Sequence, residues 1–74
     1  MKSDGALRKR SFSIAGHRTS IALEPEFWSL LETEAQAGKM SLAELVARVD
    51  AAREGKNLAS ALRVHVLKRA LGKS

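Results

Sequence analysis

Seventy-four residues, 45% of them hydrophobic, allow one domain with a modest core and exclude both wholesale disorder and a multidomain architecture. The absence of cysteine removes disulfide frameworks and cysteine-based zinc sites, and no apolar run approaches the roughly 20 residues of a membrane span. A net charge of +5 and a pI near 10.3 point to an anionic partner.

The charge is segregated along the chain. Residues 1 to 18 carry Lys2, Arg8, Lys9, Arg10 and Arg18 against Asp4 alone, whereas residues 24 to 54 hold seven acids against Lys39, Arg48 and Arg53. Residues 55 to 74 add Lys56, Arg63, Lys68, Arg69 and Lys73 with no acid. Solubility alone gives no reason for this separation, and nucleic acid leads an acidic membrane surface as the partner it implies.

Residues 1 to 16 read as a basic amino-terminal arm. Met1 to Leu7 has no periodicity and is expected to be mobile, and Arg8-Lys9-Arg10 is a compact basic run suited to phosphates or to plain solvation. Phe12 and Ile14 alternate with Ser11 and Ser13, marking a weaker extended segment over 11 to 14 that Ala15-Gly16 would turn back as a hairpin.

His17 to Leu23 is the strongest strand. Thr19, Ile21 and Leu23 alternate with Arg18, Ser20 and Ala22, so one face is apolar and the other small, polar and cationic. A lone strand leaves its backbone groups unpaired, and the simplest supplier of a partner is a second copy across a twofold axis. The resulting two-stranded antiparallel ribbon has the width that a DNA major groove admits.

Pro25 suits a first helical turn, and Phe27, Trp28, Leu31 and Ala35 form one face of an acidic helix from 25 to 37, with Gly38 placed to end it in a left-handed conformation. Ser41-Leu42-Ala43-Glu44 is a capping box opening a second helix, 41 to 54, with Leu42, Leu45, Val46 and Val49 on its stripe. Asn57 caps a third, 58 to 71, whose apolar residues fall on two sides: Leu58, Leu62 and Val66, and Val64, Leu67 and Leu71. Two sides that need burial in so short a chain favour a dimer, and residues 72 to 74 are left as a tail.

This order of alternating strand, acidic helix, glycine turn with a serine cap and second helix resembles the ribbon-helix-helix family of dimeric bacterial DNA-binding proteins over residues 17 to 54. The runs Lys9 to Ile21 and Asn57 to Arg63 look like an alphaproteobacterial subgroup carrying a third helix. The resemblance implies a mainly α fold with a short β-ribbon, built as an intertwined homodimer with an intermolecular two-stranded sheet and a third helix, all within a domain of residues 17 to 71. It implies base reading by Arg18, Ser20 and Ala22, with phosphates held by the amides around Ser41 and Leu42. Arg8, Lys9, Arg10, His17 and Lys39 join them as phosphate-contact candidates. Ile21, Leu23, Phe27, Leu45, Val49, Leu62 and Val66 are the expected dimer core. Ala22 departs from the family, which usually places a hydrogen-bonding side chain there; its methyl group offers only apolar contact, for instance to a thymine methyl.

The function expected is therefore specific or semi-specific binding of double-stranded DNA as a homodimer, in a small cytoplasmic transcriptional regulator with no metal or cofactor. The alternative is a protein-interaction module, antitoxin-like or adaptor, with a protein partner at the third helix and DNA binding secondary. RNA or an anionic membrane is the third reading. Neither His17 nor His65 lies in a constellation suited to catalysis, so no enzymatic activity is expected.

Overall fold

The computed structural model describes residues 6–72, so most of the expected mobile start, and residues 73 and 74 of the tail, lie outside the described residues. Two strands, β1 (Arg8–Ile14) and β2 (His17–Leu23), are followed by three helices, α1 (Pro25–Ala37), α2 (Leu42–Ala52) and α3 (Leu58–Ala70).

The partner of β2 comes from the same chain and not from the second copy expected for it. β1 pairs with it antiparallel, from Arg8 opposite Leu23 to Ile14 opposite His17. The reason lies in the turn. Ala15 and Gly16 both have positive φ, 53° and 82°, the two-residue geometry whose twist matches that of the flanking strands. Strand β1 also starts three residues before the alternation of Ser11 to Ile14, taking in the basic run.

Helix α1 begins where Pro25 fixes φ and has no N–H to lose, with the Glu24 carbonyl accepting from the amides of Phe27 and Trp28. It does not end with Gly38 in the left-handed region. Gly38 has φ −89°, and Lys39 takes the positive value, 57°. The amides of Lys39 and Met40 donate to the carbonyls of Gln36 and Ala35, a Schellman ending displaced by one residue that turns Met40 onto the core. A Cβ at Gly38 would come within 2.8 Å of the Met40 methyl, the free end of a flexible side chain that can move aside, so neither backbone angle nor space requires glycine here.

Helix α2 is capped by Ser41, whose hydroxyl accepts from the Glu44 amide at 3.0 Å, and α3 by Asn57, whose carbonyl accepts from the Ser60 amide at 3.2 Å. From α3, Arg63 reaches the Glu24 carboxylate at 3.1 Å and lies over the Phe27 ring, tying α3 to the junction between β2 and α1. A hydrogen bond from its own backbone, then one from Arg63, hold the Glu24 carboxyl below its ordinary range.

These elements close around one core of Ile14, Ile21, Leu23, Trp28, Leu31, Ala35, Leu45, Val46, Val49, Leu62 and Val66. Six of the residues expected in a core between two copies (Ile21, Leu23, Leu45, Val49, Leu62 and Val66) are buried within the single chain, and Phe27 is half-buried beside them. The third helix explains this, because Leu62 and Val66 cover the side of the strand and helices that a second copy would otherwise have to cover. Among the described residues, the large hydrophobics that stay exposed are the other side of α3, Val64, Leu67 and Leu71, together with Leu30 of α1 and Leu7 just ahead of β1.

Ala15 has the conformation that a non-glycine residue with a Cβ adopts at a cost of about 1 kcal/mol. Asparagine tolerates it, so Ala15→Asn is expected to raise the unfolding free energy by about 0.5 to 1 kcal/mol, read as a higher urea midpoint with an unchanged m-value.

Candidate nucleic-acid interface

The register of the hairpin sorts its side chains by face. Residues directly opposite in an antiparallel pair point the same way, so Lys9 with Ala22, Ser11 with Ser20, and Ser13 with Arg18 share one face. Arg10 with Ile21, Phe12 with Thr19, and Ile14 with His17 share the other, which lies against the helices. The Ser11 and Ser20 hydroxyls are 3.0 Å apart, in keeping with the outer assignment.

The outer face is exposed at Lys9, Ser11, Ser13, Arg18 and Ser20 and half-buried at Ala22. No acid occurs between Arg8 and Leu23, and among the described residues neither Lys9 nor Arg18 has an acidic partner. It therefore presents two free cations flanking hydroxyls that can both donate and accept. Arg18, Ser20 and Ala22 make up its β2 half. The β1 half adds Ser11 and Ser13 to the expected Lys9; the alternation of the serines with Phe12 and Ile14 marks an extended segment, but only the pairing register brings the two serines onto the face of Arg18 and Ser20.

Arg10 has different surroundings from Lys9, its neighbour in sequence. Its Nη1 lies 2.7 Å from the Glu32 carboxylate, and its guanidinium sits over the Trp28 ring, 5.0 Å from the centroid. Trp28 in turn donates its indole N–H to the Arg8 carbonyl at 2.8 Å and meets Phe12 at 5.9 Å between centroids. This cluster fastens β1 to α1. Arg8 and His17 have inner-face register but are exposed, Arg8 at the open end of the hairpin and His17 beside the turn.

The start of α2 offers backbone donors. Ser41 satisfies the Glu44 amide, leaving the amides of Leu42 and Ala43 without intrahelical acceptors. The reciprocal half of the expected capping box is replaced by a different contact, since the Glu44 carboxylate lies 3.6 Å from Arg48. Lys39, exposed on the preceding turn, adds a cation two residues before the cap.

Comparison with known families matches residues 7–70 to the ribbon-helix-helix domain. The chain belongs to the ribbon-helix-helix family. The match takes in α3 as well as the hairpin and first two helices, so the third helix is part of the domain. No curated protein and no solved structure gives a significant match. The ribbon-helix-helix fold is a non-enzymatic DNA-binding fold, and membership supports a DNA-binding role of the kind transcription regulators have. None of the described helices is long and apolar enough to cross a membrane.

Removing Arg10 tests how the interface is held. Arg10→Ala loses a half-exposed ion pair and a cation–π contact and is expected to cost about 0.5 to 2 kcal/mol. A double-mutant cycle with Glu32→Ala should assign at most about 1 kcal/mol of that to the pair.

Proposed function

We propose that this ribbon-helix-helix protein binds double-stranded DNA by laying the outer face of its hairpin in the major groove, as a twofold dimer and a small transcriptional regulator. The observation that carries this reading is the face itself: Lys9 and Arg18 free of acids, with Ser11, Ser13 and Ser20 between them, on a ribbon two strands wide. Strands about 4.8 Å apart fit a groove about 12 Å wide as a pair. Four strands span about 14 Å between the outermost backbones and do not. A single chain therefore supplies a complete ribbon, and a second copy joined along the free edge of β2 would make it too wide.

In this reading Arg18 and Ser20 contact base edges, and Ala22 gives apolar contact. Lys9, Arg8, His17, Lys39 and the amides at Ser41 and Leu42 take phosphates, the last through the positive end of α2. Arg10 has a smaller part, since Glu32 and Trp28 hold it on the opposite face. The second copy joins through the exposed apolar side of α3 at Leu67 and Leu71, which are 55% and 65% exposed and have no role in the core of the chain.

Two measurements test the two halves of the proposal. In salt-titrated binding to duplex DNA, Arg18→Ala should lose discrimination between preferred and other sequences worth about 1 to 3 kcal/mol for each copy in the dimer, whereas Lys9→Ala should weaken all sequences alike and lower the salt slope by about 0.9 for each copy. Absence of any duplex shift at low salt, or equal effects of the two variants on discrimination, removes the groove reading. For the dimer, Leu67→Glu should halve the solution mass, keep the native far-UV spectrum because the leucine lies outside the core, and remove the dependence of the melting temperature on protein concentration.

A further inference from the structure

Away from the ribbon, α2 and α3 stand on either side of an open groove of about 390 Å³. Each helix gives it one row of side chains at i, i+3, i+4 and i+7: Leu45, Arg48, Val49 and Ala52 from α2, and Ala61, Val64, His65 and Lys68 from α3. Two such rows side by side are ridges between which a third helix packs. The strip between them is apolar, and Val64 is 46% exposed on it with no part in the core. Ala52 and Ala61 carry only methyl groups, so another backbone can come close where they meet the groove.

Charge sets the sign of the occupant. Lys56, in the turn before α3, and Lys68, in its last turn, both line the groove, and among the described residues neither has an acidic partner. They mark its two ends: at 1.5 Å per residue they stand roughly 18 Å apart along α3, about three helical turns, with Ala61 and Val64 between them. Arg48 adds a third cation, held loosely by Glu44 at 3.6 Å, whereas Arg53 is committed to Asp50 at 2.7 Å. Glu34 is the one acid in the lining, and it is already engaged by His65 at 2.6 Å and Arg69 at 3.7 Å. A small molecule with one acidic head reaches one lysine and leaves the other unused. A nucleic-acid backbone has phosphates for both but gains nothing from the apolar strip between them. A helix with an apolar stripe and carboxylates towards both ends of it satisfies the rows, the strip and the separated cations together.

We propose that the groove between α2 and α3 docks an acidic amphipathic helix of a partner protein, its apolar stripe on Val49, Ala61 and Val64 and its carboxylates towards Lys56 at one end and Lys68 at the other. The proposal does not rest on DNA binding, since no residue of the hairpin lines the groove. It gives the protein a surface by which a second protein joins it while the ribbon stays free.

The test uses the full chain, labelled with ¹⁵N, and a synthetic end-capped peptide of about four helical turns, with leucine at i, i+4, i+7 and i+11 and glutamates flanking that stripe towards both ends. Three control peptides carry glutamine for every glutamate, lysine for every glutamate, or serine for every leucine. The acidic peptide should shift the amide signals of Val49, Ala52, Ala61 and Val64, leave Ser11 and Ser20 in place, and gain helix in the far-UV spectrum on binding. The glutamine peptide should bind more weakly and the serine peptide not at all. Lys56→Gln with Lys68→Gln should raise the Kd of the acidic peptide about two- to fivefold per lysine, the size of exposed charge contacts, and leave that of the glutamine peptide unchanged. Lys56→Glu with Lys68→Glu should bind the lysine peptide more tightly than the unaltered protein does, a gain that a misfolded variant could not show.

The proposal is overturned if the acidic and glutamine peptides bind alike, if the charge swap brings no gain, or if the acidic peptide shifts no groove signal. Groove signals that move with a DNA duplex and not with the peptide would assign the groove to nucleic acid. Movement of the Val49 and Ala52 signals with the concentration of peptide-free protein would assign it to a second copy. Either result removes the proposal as well.

Discussion

The fold depends on the way Trp28 lies under the hairpin. A two-stranded hairpin has only marginal stability by itself in water, and among the described residues this one has no third strand. It is held because β1 has something to bind. The Trp28 ring is 2% exposed, its N–H reaches the Arg8 carbonyl, and Phe12 and the Arg10 guanidinium pack on it. The hydrogen bond matters as much as the area buried. An indole N–H enclosed without an acceptor would cost about 1 to 3 kcal/mol, so the ring fits best where the strand offers a carbonyl. Ile14, Ile21 and Leu23 then complete the seam from the strand side, all with little exposure.

That seam is also what separates the cations into two populations. Arg8-Lys9-Arg10 reads as one basic block, yet strand geometry sends neighbours to opposite faces. Once Phe12 and Ile14 face the helices, Arg10 must face them too, and Glu32 on α1 is there to receive it. Lys9 is then forced outward, opposite Ala22 and on the same side as Arg18. The serines share this side because every second position does. Net charge alone would count Lys9 and Arg10 as equals. The pleat makes one a structural clamp and leaves the other available to an anion.

The elements themselves were legible in the sequence, from local signals. Period-two alternation marked β2, Pro25 the start of α1, Ser41 and Asn57 the caps of α2 and α3, and the observed helices follow these positions closely. The outer half of β2 could be read the same way, whereas the contribution of β1 could not, because it depends on pairing register. The turn that sets the register holds alanine at a position usually given to asparagine or glycine, which weakens the signal just where it decides whether a strand pairs within the chain. Gly38 misled for a related reason. Composition favours glycine in the left-handed position, but the hydrogen bonds of the helix end fixed that position one residue later, at Lys39.

Helix α3 shows the limit of periodicity more sharply. Its two apolar sides are equal in the sequence, and each is a reasonable candidate for a shared interface. In the folded chain they differ completely. Leu62 and Val66 are enclosed by the core, while Val64, Leu67 and Leu71 remain at the surface. A hydrophobic pattern states how much surface needs cover, not whether the cover comes from the same chain, another copy or a ligand. Here intramolecular packing takes the first side and with it the residues expected to hold two chains together. Among the described residues, the large apolar side chains that this packing leaves at the surface of α3 are Val64, Leu67 and Leu71, so the pattern that reads as two equal sides resolves into one that makes the core and one that remains open to contact.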